Sequence, residues 1–240
     1  MPTATHKQRL LNRIATGLRR DLEVVEPETR PVFEQLVYAV LREGTSRATA
    51  DRAYQALQTQ FFDWNEIRVS SVREVEEVLA AAGVPDAEAR AGRVITVLQE
   101  VFESTFSFDL ESLHKKGLKQ AQKQLERYQG ATPFAVAYTV QRGLGGHAIP
   151  VDEDMLRTLR RLELLDGAPD LATAQASLEH LVPKARGPLF AETLSALAQT
   201  YCHEDAPRCA ECPVNDACPT GQASTRQLQG ATRAARAKPR

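Results

Sequence analysis

Four cysteines, the only four in the chain, read Cys202-x6-Cys209-x2-Cys212-x5-Cys218. Thiolates are metal ligands, so four of them within 17 residues form a candidate ligand set for one metal centre. Three chemistries use such a set. Two disulfides need an oxidising compartment, and the opening stretch MPTATHKQRLLNR has no apolar run of the kind that directs export. Structural zinc usually takes two C-x2–4-C pairs separated by a longer insert, whereas this chain has one C-x2-C flanked by single cysteines at unequal distances. An iron–sulfur cubane also takes four thiolates and accepts an asymmetric loop. The spacing leaves both metals open. Pro213 and Pro219, each directly after a cysteine, restrict the loop. Arg208 is the only fixed positive charge inside it, so the loop is a weak anion site.

A second chemistry lies upstream. Gly143, Gly145, Gly146 and Pro150 lead into Val151 and Asp152. Asp152 precedes a stretch carrying Leu156 and Leu159, where an aspartate acts as a helix N-cap. A carboxylate in that place can also stabilise developing positive charge or activate water, and the two roles are compatible. Before this loop, one helical pattern runs to Tyr128, Gly130 interrupts it, and Pro133 restarts it. A turn this short makes the two helices antiparallel or steeply crossed. Exposed N–H groups at the start of the second can hold a phosphate without reading a base. An ordinary αα-hairpin gives the same pattern. Lys115, Lys116, Lys119 and Lys123 before the hairpin read as a solvated helix face, with phosphate contact as the alternative.

The elements that must position these groups are helical. Leu10, Leu11, Ile14, Leu18 and Leu22 recur at three- and four-residue steps and predict a helix over 7–26. Pro31 opens a second with Phe33, Leu36, Val37, Val40 and Leu41. Ala53, Tyr54, Leu57 and Phe61 mark 47–62, and Ser71 with Glu74 has capping-box spacing before a helix that Gly83 ends. Further helices are predicted at 87–104, 117–128, 133–143, 153–165, 171–182 and 187–201. Trp64, in the segment after Phe61, reads as a core anchor. No strand alternation is present. At 240 residues, 42% hydrophobic and 25% charged, the chain has the composition of a soluble globular protein, with no run long enough to span a membrane. The net charge of −1 excludes a wholly basic polyanion binder. Arg226, Arg233, Arg236, Lys238 and Arg240 all follow Cys218 with no acid among them, leaving 25 bases against 31 acids before it. That tail reads as a disordered end or a non-specific phosphate arm.

Hairpin, Gly/Pro loop, aspartate and four-cysteine loop, in that order, resemble the helix–hairpin–helix, Gly/Pro–Asp superfamily of base-excision DNA glycosylases, and within it endonuclease III. The likeness covers roughly residues 30–220. Residues 31–43 look like the family's early buried helix, and Arg90-Ala91-Gly92-Arg93-Val94 looks like its segment before the hairpin. The resemblance implies an all-α, two-lobed glycosylase fold with a C-terminal iron–sulfur loop. One lobe would span 30–145, with the helix–hairpin–helix at 118–143. The other would join an N-terminal helix at 1–29 to residues 146–218, and a basic, disordered tail would follow over 219–240. It implies a 4Fe–4S cluster on Cys202, Cys209, Cys212 and Cys218, Asp152 as catalytic carboxylate, and Gln129, Gly130, Ala131, Thr132 and Phe134 at the DNA backbone. It further implies a cytoplasmic, monomeric protein that binds double-stranded DNA in a cleft between the lobes and releases a flipped base.

The chain departs from the family in ways that bear on chemistry. The family hairpin reads roughly L-P-G-V-G-R-K-T-A, and here it reads Tyr128-Gln129-Gly130-Ala131-Thr132-Pro133-Phe134-Ala135-Val136. Phe134 stands where members that cut the backbone carry a Schiff-base lysine, so the expected enzyme is monofunctional, with water attacking and Asp152 assisting. Thr132 replaces the second hairpin glycine. The glutamate of adenine-specific relatives has no counterpart in Leu36–Leu41, Glu43 lies one helical turn beyond Ala39, and Arg157 matches a family basic position. Two rivals are a non-catalytic DNA- or lesion-binding relative and an iron–sulfur electron carrier.

Overall fold

The computed structural model describes residues 4–18, 22–25, 28–167 and 169–236. Twelve α-helices are found among them and no strand. The chain divides into two compact units, residues 27–152 and residues 1–26 with 153–240.

In the unit 27–152, α2 (Val32–Arg42) is the central element. Ten of its eleven residues are buried, as expected of a helix that is apolar around most of its circumference. It packs on α3 (Arg47–Gln60), α6 (Ala87–Thr105) and α8 (Pro133–Arg142). Pro31 lies just outside this helix at the N-cap, one residue earlier than a first-turn proline. Ser71 and Glu74 form the expected capping box at the start of α5 (Val72–Ala81). Gly83 follows with φ +83°, a conformation glycine adopts without strain. A short helix that periodicity did not predict, α4 (Trp64–Val69), is capped by Asp63 accepting from the Glu66 N–H. Trp64 meets Phe33 edge to face at 5.6 Å and lies 5.9 Å from Tyr54. α7 (Leu118–Leu125) and α8 form the hairpin.

The other unit gathers both ends of the chain. α1 (Ala4–Asn12) passes into a π-helical turn over Arg13–Gly17, so the single helix expected over 7–26 is broken. Of the expected apolar stripe, Leu10, Leu11, Ile14 and Leu18 are buried and Leu22 is partly exposed. α11 (Gly187–Thr200) packs on that turn and on α9 (Glu153–Arg161), which α10 (Leu171–Leu181) also touches. Beyond Cys218 the expected disorder gives way to α12 (Pro219–Arg236). This helix rests on the two short 3-10 turns of the cysteine loop. Asn215 Nδ2 donates to Thr225 Oγ1 at 3.1 Å and Gln222 Nε2 to the Asp216 carbonyl at 2.5 Å, which ties helix to loop. The side chains of Arg233 and Arg236, and all of Lys238 and Arg240, lie outside the described residues. Among the described residues no helix is long and apolar enough to cross a membrane.

The boundary between the units falls after Asp152 and not near 145. The Gly/Pro loop stays with the hairpin because its own groups are consumed there. Gln141 Nε2 donates to the Ala148 carbonyl at 2.6 Å, and Ala148, Ile149 and Val151 are buried.

Candidate functional site

In the hairpin, the residue at 130 must be glycine. A Cβ there would lie 2.4 Å from the Arg93 carbonyl oxygen and 2.8 Å from Val97 Cγ2, so the turn lies directly against α6. Pro133 occupies the first helical position of α8, where its missing N–H costs nothing. Thr132 is the N-cap, and its hydroxyl oxygen accepts from the Ala135 N–H at 3.1 Å. The same hydroxyl donates to Glu43 Oε2 at 3.0 Å, and Arg93 Nη1 approaches that oxygen at 2.5 Å. Glu43 therefore joins α2, α6 and the hairpin. The Gln129 N–H donates to Glu100 Oε2 at 2.6 Å and the Ala131 N–H to the Tyr128 carbonyl at 2.9 Å. Three donors expected to face phosphate thus have partners within the chain. Phe134 is buried and stacks on Tyr138 with ring centroids 5.8 Å apart, so its side chain is core.

Asp152 is 4% exposed. Its Oδ2 accepts from the Gly44 N–H at 3.0 Å. That N–H belongs to a turn directly after α2. Glu43 has φ −58° and ψ 124°, Gly44 has φ +63°, and the Thr45 N–H donates back to the Arg42 carbonyl at 3.2 Å. These values describe a type II β-turn, which calls for glycine at its third residue. Arg90, on α6 and 6% exposed, donates from Nη1 to the Val40 and Glu43 carbonyls, each at 2.6 Å. Burial lowers the Arg90 pKa to about 10 and the charge of Arg93 adds to the effect, while Glu43, Asp86 and Asp152 act in the opposite sense. The sequence placed Glu43 near the early helix and Arg90 in the segment before the hairpin, but not their contacts around Asp152. Gly44 directly after a helical apolar run was the available signal.

The four cysteines occupy the unit of residues 1–26 and 153–240, are all free of disulfides, and line one cavity. Cys202 closes α11, Cys209 and Cys212 flank one 3-10 turn, and Cys218 ends another. Arg161 brackets the loop. Its guanidinium donates to the His203 carbonyl at 2.6 Å and the Glu204 carbonyl at 3.0 Å, and Nη1 reaches Cys202 Sγ at 3.5 Å. Arg157 Nε holds the Cys202 carbonyl at 2.9 Å. The Gly221 N–H points at Cys218 Sγ at 3.3 Å, and a Cβ on Gly221 would lie 2.6 Å from Asn215 Oδ1. Burial pushes the Cys212 thiol up to about 11, the Val214 amide opposes this, and the other three cysteines reinforce it. Burial raises Cys218 as well. Clustered thiolates, partly withdrawn from water, need a compensating cation. Among the described residues no three His, Cys, Asp or Glu side chains converge on a single ion position. A cubane places each thiolate on a different iron, so its ligands surround a volume and need not converge on a point. The residues present fit that group.

No protein-family profile matches the chain. An Arabidopsis thaliana protein named as a candidate DNA glycosylase is 22% identical over 158 residues, which are 66% of this chain and 53% of that protein. The match therefore spans about half the plant protein's length. Among solved structures, an endonuclease III–DNA non-covalent complex aligns over 94% of this chain and 100% of its own, with a TM-score of 0.72 and 18% identity. A thermostable thymine-DNA glycosylase aligns over 91% and 98%, with a TM-score of 0.64 and 16% identity. A Clostridium acetobutylicum 8-oxoguanine glycosylase/lyase bound to DNA aligns over 82% and 70%, at 0.60 and 12%. The chain thus has the endonuclease III-like fold shared by the helix–hairpin–helix DNA glycosylases.

Proposed function

We propose that the protein is a DNA glycosylase of base-excision repair, which binds double-stranded DNA and hydrolyses the N-glycosidic bond of a flipped, damaged base. The observation that carries this reading is Asp152, a buried carboxylate held by the Gly44 N–H and following the hairpin on an endonuclease III-like fold. Breaking an N-glycosidic bond builds positive charge on the deoxyribose, and a fixed carboxylate stabilises it. The same group orients and activates the attacking water. Phe134, buried against Tyr138, offers no amine, so the reading includes hydrolysis without a Schiff base. Cys202, Cys209, Cys212 and Cys218 would hold a 4Fe–4S cluster that serves as a covalent staple for the loop and takes no part in base release. Arg157, Arg161 and α12 hold that loop from outside.

Single-turnover base release tests the reading on a panel of oxidised, deaminated, alkylated and mismatched duplexes. The parent releases base from at least one of them, and Asp152→Asn abolishes release while duplex binding persists. Release unaffected by Asp152→Asn would remove the carboxylate from the mechanism. A second reading, a non-catalytic lesion-binding relative, is favoured by Phe134 and by the internal partners of the Gln129 and Ala131 N–H groups. Salt-sensitive duplex binding with no release on any substrate would select it.

A further inference from the structure

The Glu43–Gly44 peptide is gripped from both sides. Its carbonyl accepts from Arg90 Nη1 at 2.6 Å and its N–H donates to Asp152 Oδ2 at 3.0 Å. In a trans peptide the C=O and N–H point in opposite directions, so fixing one aims the other. Type II and type I turns differ chiefly by a half-rotation of this central peptide. The half-rotated form would set the Glu43 carbonyl against the Asp152 carboxylate and the Gly44 N–H against the Arg90 guanidinium, two repulsive contacts in place of two attractive ones. The Glu43 side chain, held by Thr132 and Arg93, also resists rotation of the turn.

We propose that Arg90 and Gly44 are positioning residues for Asp152: Arg90, by holding the Glu43 carbonyl, fixes the peptide that turns the Gly44 N–H onto the carboxylate. This rests on the reading of Asp152 as the catalytic group. Arg90 acts through the peptide plane, and Gly44 is required because φ +63° is open to glycine and strained for other residues. A Cβ at 44 would meet nothing within 4 Å, so substitution there changes backbone preference without a steric clash.

The test is a substitution series in the full-length protein with two readouts, the saturating single-turnover rate and the duplex dissociation constant. Tolerance of the left-handed region falls in the order Gly, Asn, Ala, Val, and the rate follows that order, with Gly44→Ala slower by roughly five- to thirtyfold. Duplex affinity changes less than about threefold, because one oriented hydrogen bond is lost and no phosphate contact with it. Arg90→Met reproduces the rate loss, and Arg90→Lys, which retains one donor, loses less. Equal rates across the Gly44 series, or a loss that tracks side-chain size with Asn as damaging as Val, would overturn the proposal. Hydrogen exchange of the residue-44 amide in the DNA-free protein supplies an arm that needs no activity. The amide is protected in the parent and exchanges at least about tenfold faster in Asp152→Ala and in Arg90→Met. If the parent releases no base from any duplex, the glycosylase reading falls and exchange alone decides the clamp. Unchanged exchange in Arg90→Met refutes it.

Discussion

Replacing Gly130 and Gly92 by alanine should move stability in opposite directions, although both involve α6, Gly130 packed against it and Gly92 within it. At Gly130 the added carbon would sit 2.4 Å from the Arg93 oxygen and 3.0 Å from the Val97 nitrogen. An ordinary C···O contact is about 3.3 Å, so the hairpin must withdraw by roughly 1 Å. Both obstacles are backbone atoms of α6 and cannot rotate away. Overpacking of this kind costs about 1–3 kcal/mol, and for a chain of this size each kcal/mol is worth roughly 2–4 °C. Gly130→Ala should therefore melt about 2–12 °C below the parent. Gly92 lies inside α6 with nothing within 4 Å of its would-be Cβ. There alanine removes the entropic cost of a helical glycine, about 0.5–1 kcal/mol, and raises the midpoint by roughly 1–4 °C. Thermal unfolding followed by circular dichroism reads both. A Gly130→Ala midpoint within a degree of the parent would refute the close approach of hairpin and α6, and a Gly92→Ala midpoint that drops would refute the open space at that position.

Ser71→Ala should cost about 1 kcal/mol in denaturant unfolding, because it removes one half of a reciprocal cap. Glu74 is held below the usual carboxylate range, first by the Ser71 N–H and then by its hydroxyl. The folded state thus binds fewer protons there than the unfolded state. That contribution is present above the ordinary carboxylate pKa and is lost as pH falls through the lowered value. Glu74→Gln should therefore differ from the parent at neutral pH and converge with it in acid, and a difference constant with pH would contradict the cap. Borohydride added during turnover on damaged duplex should trap no protein–DNA adduct, since Phe134 supplies no amine, and a trapped adduct would reveal another nucleophile. Protein purified without oxygen should carry iron and sulfide with a visible chromophore that Cys212→Ser diminishes, whereas zinc at one ion per chain would replace the cubane by a mononuclear site.

Much of the scaffold was legible because periodicity and caps are local. The apolar steps of α2, α6 and α11 and the Ser71–Glu74 pair each lie within a few turns of chain. α4 escaped because six residues carry too little period, although Asp63 followed three residues later by Glu66 is itself a cap signal. α12 escaped because its polar, basic composition resembles a solvated tail, whereas it gains support by resting on the cysteine loop. The site was legible by residue type and illegible by contact. Gly44 and Asp152 are 108 positions apart, and Glu43 and Thr132 are 89 apart. No spacing rule reaches that far. The sequence indicated Glu43 only as an acid near the early helix, and its partners proved to be the hairpin cap and Arg93. Asp152 was expected in the lobe that carries the cysteine loop, but its hydrogen bond to Gly44 keeps it in the unit of the hairpin.

The π-helical turn at Arg13–Gly17 finds its partner, α11, more than 170 residues downstream. Arg13 likewise waits for Asp216, to which its Nη1 donates at 2.9 Å. On a ribosome adding 5–20 residues per second, the greasy stripe of Leu10, Leu11, Ile14 and Leu18 stays orphaned for roughly 10–40 s before α11 emerges. The unit of residues 27–152 is complete before then. Nascent chains halted once Asp152 has cleared the ribosome should therefore hold a finished domain trailing a sticky leader, the stage at which a holdase has most to grip.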